Sequence, residues 1–179
     1  LQEIEDRASL EEFNAQLLPE CNTKSFQEIA VVQGSDKRGQ EMAMLLKDGY
    51  FIKSVRTHHF EIDNSFNPKK EFFQYEIDTP SHRTIWLLAV QLQEDTSEIE
   101  MTDAYRNIQS QQIASVYRKL LNDGHKDIIV AGTLNAASYS DSLTPLLRDT
   151  DLKDVTKHPS FNVDYDKGSD ADYFRLGWG

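Results

Sequence analysis

The residues able to do chemistry in this 179-residue chain gather at the ends of apolar runs. Residues 127–132 carry the run Ile128-Ile129-Val130-Ala131, which leads into Gly132-Thr133-Leu134-Asn135. A strand of that composition delivers polar side chains at its C-terminal end, where α/β sheets commonly place their sites. The Thr133 hydroxyl can hydrogen-bond water but cannot serve as a base near neutral pH. Asn135 offers amide donors and acceptors, and just after a strand it is also a favourable turn residue. Gln91 adds a neutral amide near the end of the run 85–92. Both Gln91 and Thr133 also suit a strand end on structural grounds alone. Arg38, before Gly39, reads either as a loop charge or as a phosphate contact. Glu3, by its position alone, reads as a solvated surface charge.

Other titratable groups point elsewhere. The His58-His59 pair sits in a predicted strand, so the two rings point to opposite faces and cannot share one metal as neighbours. His125 and His158 fall in turns. Asp164, Asp166, Asp170 and Asp172 surround Gly168, but the glycine is misplaced for a calcium loop and no terminal glutamate follows, so an exposed acidic loop is expected. Phe72, Phe73 and Tyr75 are expected in strand packing rather than as a base-stacking platform.

Periodicity supplies the elements that must position these groups. A helix is expected after Ser9, with Leu10, Phe13, Leu17 and Leu18 apolar, Glu12 as capping-box partner and Pro19 discouraging continuation. Strands are expected over 29–33, 42–46 and 50–60, with Asp48-Gly49 as a hairpin turn between the last two. Residues 72–77 and 85–92 read as a further pair across a turn with Pro80 and Ser81. The clearest helix covers 101–122 and stops at Asp123-Gly124, glycine being the usual left-handed terminator. A buried strand over 127–132 and a short helix over 140–147 follow. That order gives an α/β protein with partly antiparallel sheets.

Bulk properties narrow the function. Nineteen Lys plus Arg against thirty Asp plus Glu give a formal charge of −11. A sequence-blind nucleic-acid binder needs a basic footprint, so broad affinity for DNA or RNA is not expected. A small phosphoester held through a divalent cation remains compatible, because the ion dominates the local field. No apolar run reaches the roughly 20 residues of a membrane span. Cys21 is the single cysteine, which excludes an internal disulfide. The first residue is Leu, which points to a removed start or a fragment and leaves the compartment open.

Several stretches together resemble one family. DIIVAGTLNAASYSDSLTPLL resembles the strand-loop-helix of the endonuclease/exonuclease/phosphatase superfamily, in which Gly-Asp-Phe-Asn precedes small residues and a Leu-rich helix. LQEIED resembles its Leu-Gln-Glu motif, and DKRGQEMAMLLK its Arg-Gly segment. TIWLLAVQLQ resembles the strand bearing the family histidine, and RNIQSQQ its Arg-x-x-Gln helix pattern, with Arg106 and Gln109. DADYFRL resembles the Asp-Tyr start of the penultimate strand.

The resemblance implies a two-sheet mixed α/β sandwich over residues 1–179, a single domain within a longer chain, lacking terminal edge strands if the chain is a fragment. It implies a divalent-metal-dependent phosphoester or phosphodiester hydrolase lineage acting on a phosphoester-containing substrate or ligand. Glu3 would hold Mg²⁺ or Mn²⁺, Asn135 and Arg38 would contact phosphate, and Asp172 would orient. Thr133 stands where the family has its Asp, and Gln91 where it has its His. Losing a general base typically costs about 10²–10⁴ in rate, or roughly 3–5 kcal/mol of barrier. Impaired or altered turnover is therefore expected. The alternative is a non-catalytic binding module that keeps the fold and the cleft. Asp141 is a substitute base on one reading and a solvated helix-start acid on the other.

Overall fold

Strand alternation and turn chemistry build two sheets in the computed structural model, which describes residues 1–21, 23–32, 34, 42–62, 71–95 and 99–155. Strands β1 (Glu28–Val32) and β2 (Met42–Leu46) pair antiparallel, with Ala30 opposite Met44. Strands β3 (Phe51–His59), β4 (Glu71–Asp78), β5 (Thr84–Gln91) and β6 (Ile128–Thr133) form a four-stranded sheet in that order. The β3–β4 and β4–β5 pairs are antiparallel, with Tyr75 between Val55 and Leu87. The β5–β6 pair is parallel. Trp86 N–H donates to the Asp127 carbonyl at 2.8 Å and Leu92 N–H to the Thr133 carbonyl at 2.9 Å, with one constant sequence offset. Parallel strands need a long crossover, and helix α3 (Ile99–Asn122) supplies it.

The chain divides into two compact units, with β5 and β6 contributing to both. The first comprises Leu1–Glu61, Lys69–Ala89 and Asp127–Gly132. Its core joins the two sheets: Met42 with Phe73, Tyr75 and Ile77, and Val32, Met44, Leu46, Ile52, Leu87 and Ala89 packed around them. On the other face of β4, Phe72 stacks on His58 with ring centroids 4.8 Å apart and on Phe60 at 5.1 Å. His58 Nε2 bonds Gln74 Oε1 at 2.8 Å, while His59 lies 3.5 Å from Glu71 on an exposed site. The two imidazoles face apart, as strand alternation requires.

The Tyr75 hydroxyl is fully buried with no hydrogen-bond partner among the described residues. Burial alone pushes its ionisation up to about 12 from 10.0. The folded state therefore holds the phenolic proton more tightly than the unfolded chain does. Stability from this group is complete below pH 10 and is lost as the pH rises through about 12. Tyr75→Phe is expected to raise unfolding stability at pH 7 by about 1 kcal/mol, since an orphaned buried hydroxyl costs roughly 1–3 kcal/mol. It should also flatten the loss between pH 10 and 12 in urea titrations. A variant less stable than the parent at pH 7 would show that the hydroxyl has a partner.

Three local expectations need correction. Helix α1 (Arg7–Glu12) starts under Asp6, whose Oδ1 accepts from Ser9 N–H at 2.7 Å, so Ser9 lies inside the first turn instead of capping it. Pro19 does not stop the chain. A π-helical turn at Phe13–Leu17 shifts the register, and Pro19 then occupies the first turn of α2 (Leu18–Glu20), where no intrahelical N–H is needed. The Asp48-Gly49 turn forms, with Tyr50 N–H donating to the Lys47 carbonyl at 3.2 Å. It does not make a hairpin: β2 and β3 belong to different sheets. Only Gly49 of its two central residues has positive φ, at 83°. Hairpin twist needs positive φ at the first central residue or at both, so this turn splays the strands.

The second unit comprises Ile62–Pro68, Val90–Lys126 and Thr133–Gly179. It is organised by α3. Gly124, at φ 92°, ends the helix in a Schellman arrangement: its N–H donates to the Leu121 carbonyl at 3.0 Å and His125 N–H to that of Leu120 at 3.0 Å. The buried face carries Tyr105, Ile113, Ala114, Tyr117 and Leu120, and also Thr102, Arg106, Gln109 and Ser110. Ile108, Ser115 and Lys119 are exposed. Among the described residues no helix is long and apolar enough to cross a membrane.

Candidate functional site

The site grows from the place where β5 and β6 end. Leu92, just past β5, is fully buried. Its N–H donates to the Thr133 carbonyl at 2.9 Å, and its own carbonyl accepts from Asn135 Nδ2 at 2.9 Å. Gln91, Thr133 and Asn135 are therefore neighbours, all half-buried. Asn135 takes φ 51°, a left-handed conformation that asparagine tolerates far better than most residues. Gly132 before it has φ 140°. Backbone of this kind turns the chain out of β6 and lets a side chain reach back to the neighbouring strand. Asn135 is thus a turn residue, and one of its amide hydrogens is spent on Leu92.

Gln93 is held from the α3 side. Its N–H donates to Gln109 Oε1 at 2.9 Å, and its carbonyl accepts from Arg106 Nε at 2.7 Å. Gln109 is fully buried and Arg106 is 4% exposed. Arg106 also reaches Asp103 at 3.2 Å and pairs with Asp95. Both main-chain polar groups of Leu92 and of Gln93 are satisfied. The Arg-x-x-Gln pattern marks Arg106 and Gln109 in the sequence without placing them at the site. The available signal was two polar residues three apart on the buried face of an amphipathic helix.

Asp141 starts a 3₁₀ turn (Asp141–Leu143), which runs into α4 (Thr144–Leu147). Its side chain is almost fully exposed, 3.7 Å from Arg148, at a groove of about 740 Å³ between α3 and α4. The solvated-acid reading fits it.

Glu3 lies in the first unit. Leu1 exchanges hydrogen bonds with Ala43 of β2, its amino group donating at 2.7 Å and its carbonyl accepting at 3.0 Å. Two residues on, Glu3 is exposed with φ 59°. Positive φ is costly for a long side chain, roughly 1–3 kcal/mol, and such strain concentrates at functional positions. Among the described residues no three His, Cys, Asp or Glu side chains gather as a ligand cage. Glu3 offers one exposed carboxylate, and Mg²⁺ sites use one or two of these together with waters and substrate phosphates. Arg38, Asp172 and the acidic stretch around Gly168 lie outside the described residues.

No protein-family model matches the sequence, and no curated protein matches it either. Solved structures do match in fold. A beta toxin from Staphylococcus aureus aligns with TM-score 0.59 at 16% identity, over 83% of this chain and 56% of that one. TDP2 from C. elegans aligns with TM-score 0.57 at 15% identity, over 76% and 37%. The human Nocturnin catalytic domain, solved with a bound sulfate anion, gives 0.55 at 12% identity, over 80% and 53%. The chain thus spans between 37% and 56% of the length of these three. With two sheets, a parallel β5–α3–β6 crossover and polar residues at the strand ends, it has the endonuclease/exonuclease/phosphatase fold.

Proposed function

We propose that the chain belongs to a divalent-metal-dependent phosphoester or phosphodiester hydrolase lineage whose turnover is impaired or altered in this member. The observation that supports this reading best is the meeting of Gln91, Thr133 and Asn135 around Leu92, on a fold shared with proteins of that lineage. Mg²⁺ or Mn²⁺, when bound, would polarise a phosphoryl oxygen and offset its developing charge. Glu3 would hold the ion through its carboxylate. The second amide hydrogen of Asn135, left over from the bond to Leu92, would meet a phosphoryl oxygen. Gln91 would donate a neutral hydrogen bond where the family has an imidazole, and Thr133 would orient water without taking its proton. Arg38 would contact phosphate and Asp172 would orient. A sulfate anion, held by the Nocturnin domain, is tetrahedral and negatively charged, as a phosphoryl group is.

The test is hydrolysis of a simple phosphodiester by the full chain across Mg²⁺ and Mn²⁺ concentrations, beside Glu3→Ala. The variant is expected to need at least about 10–100-fold more metal for half-activation, since loss of an outer-shell partner alone costs that much. Metal-dependent turnover identical in the two proteins would remove Glu3 from the site. No turnover in either, from folded samples, would favour the non-catalytic binding module, which the side chains at 91 and 133 already suit.

A further inference from the structure

The carbonyl of Leu92 and the N–H of Gln93 belong to one peptide group. Asn135 Nδ2 donates to that carbonyl at 2.9 Å, and that N–H donates to Gln109 Oε1 at 2.9 Å. A trans peptide points its C=O and N–H in opposite directions within a rigid plane. The two side-chain amides therefore grip one plane from opposite edges, the Asn135 amide on the β6 side and the Gln109 amide on the α3 side. Polarising one end of a resonant amide strengthens the hydrogen bond at the other, and the effect is largest away from water. Here Leu92 and Gln109 are fully buried and Gln93 is 8% exposed. Arg106 holds the next carbonyl, that of Gln93, at 2.7 Å, which restrains the following Gln93–Glu94 peptide.

We propose that Gln109 is a positioning residue that sets the orientation of the Asn135 amide, with the Leu92–Gln93 peptide as the relay. This rests on the reading of Asn135 as a phosphate contact only for its catalytic meaning; the relay itself is a property of the fold. A residue on α3 that touches no substrate would thereby aim one that does.

The relay is tested by amide NMR on the full chain, without any need for turnover. Gln109→Leu removes the acceptor and keeps the volume close. Gln109→Glu keeps an oxygen acceptor in place. In Gln109→Leu the Gln93 amide is expected to exchange about tenfold faster, as the loss of one buried hydrogen bond gives. The Asn135 side-chain amide protons should shift and exchange faster too, although Asn135 is far away in sequence. Gln109→Glu should keep the Gln93 amide protected, and its carboxylate oxygen, a stronger acceptor than an amide oxygen, should move the Asn135 side-chain signals without loss of the bond, which tests the relay if Gln109→Leu does not fold. Faster exchange at Gln93 with the Asn135 side-chain signals unmoved would overturn the relay, because a merely structural Gln109 has no reason to reach Asn135. Unchanged exchange at Gln93 would overturn the clamp itself. Failure of the hydrolase reading shows separately, as absent metal-dependent turnover with these NMR effects intact.

Discussion

Thr133→Asp is expected to raise metal-dependent phosphodiester hydrolysis by about 10²–10⁴-fold, the usual contribution of a general base. That range corresponds to roughly 3–5 kcal/mol of barrier. The fold should accept the change. Thr133 closes β6, half-buried, and it is its main-chain carbonyl that receives Leu92 N–H at 2.9 Å. That bond does not depend on the side chain at 133. Asn at the same position is the matched control: it copies the shape of Asp and cannot take a proton. The measurement is the initial rate at saturating Mn²⁺ for the parent, Thr133→Asp and Thr133→Asn. A folded Thr133→Asp no faster than the parent would mean that the missing carboxylate is not what limits turnover.

Arg106→Ala is expected to lower unfolding stability by roughly 2–4 kcal/mol. The ion pairs contribute little of this, because Asp95 and Asp103 have side chains 80% and 48% exposed and solvent screens such pairs. The larger loss is the charged donor to the buried Gln93 carbonyl, about 1–3 kcal/mol, together with the packing of the arginine stem. Arg106→Lys keeps the charge but not the planar fork, so an intermediate loss is expected. Urea unfolding midpoints at constant slope decide it. A cost for Arg106→Ala below about 1 kcal/mol would show that solvent or another donor serves the Gln93 carbonyl.

Much of this architecture was legible because the deciding interactions are local. The β4–β5 pair, the span of α3 and its stop at Gly124 follow from alternation, helical period and glycine chemistry within a few residues of each feature. The polar cluster was legible in part, since Thr133 and Asn135 sit together in the chain and Gln91 ends the strand beside them. What could not be read depends on distant partners. The apolar run of β6 predicts burial on both faces, yet no residue of β6 is fully buried and Ile129 is 47% exposed. Among the described strands β6 ends its sheet, with β5 as its one neighbour. The Asp48-Gly49 pair encodes a turn, but which sheet the following strand joins is settled by packing. A Cβ on Gly49 would come within 2.9 Å of the Pro80 ring, a contact no local pattern announces. Ser9 and Asp6 are both capping residue types, and the extended backbone of Asp6 with its bond from Ser9 N–H selects it. Arg106 looks like a surface charge in a helix until Gln93 is found against it.

The Leu92–Gln93 peptide has a consequence for how such a protein responds to variation. Both atoms gripped by Asn135 and Gln109 are main-chain atoms, present whatever residues occupy positions 92 and 93. Replacing either side chain leaves the donor and acceptor in place. Proline at 93 is the exception, since it alone removes the N–H. A survey of side-chain replacements would therefore pass over the centre of this arrangement and register only its rim, at Asn135, Gln109 and Arg106. The connection between helix and strand end is written in the backbone, where ordinary substitution has almost nothing to delete.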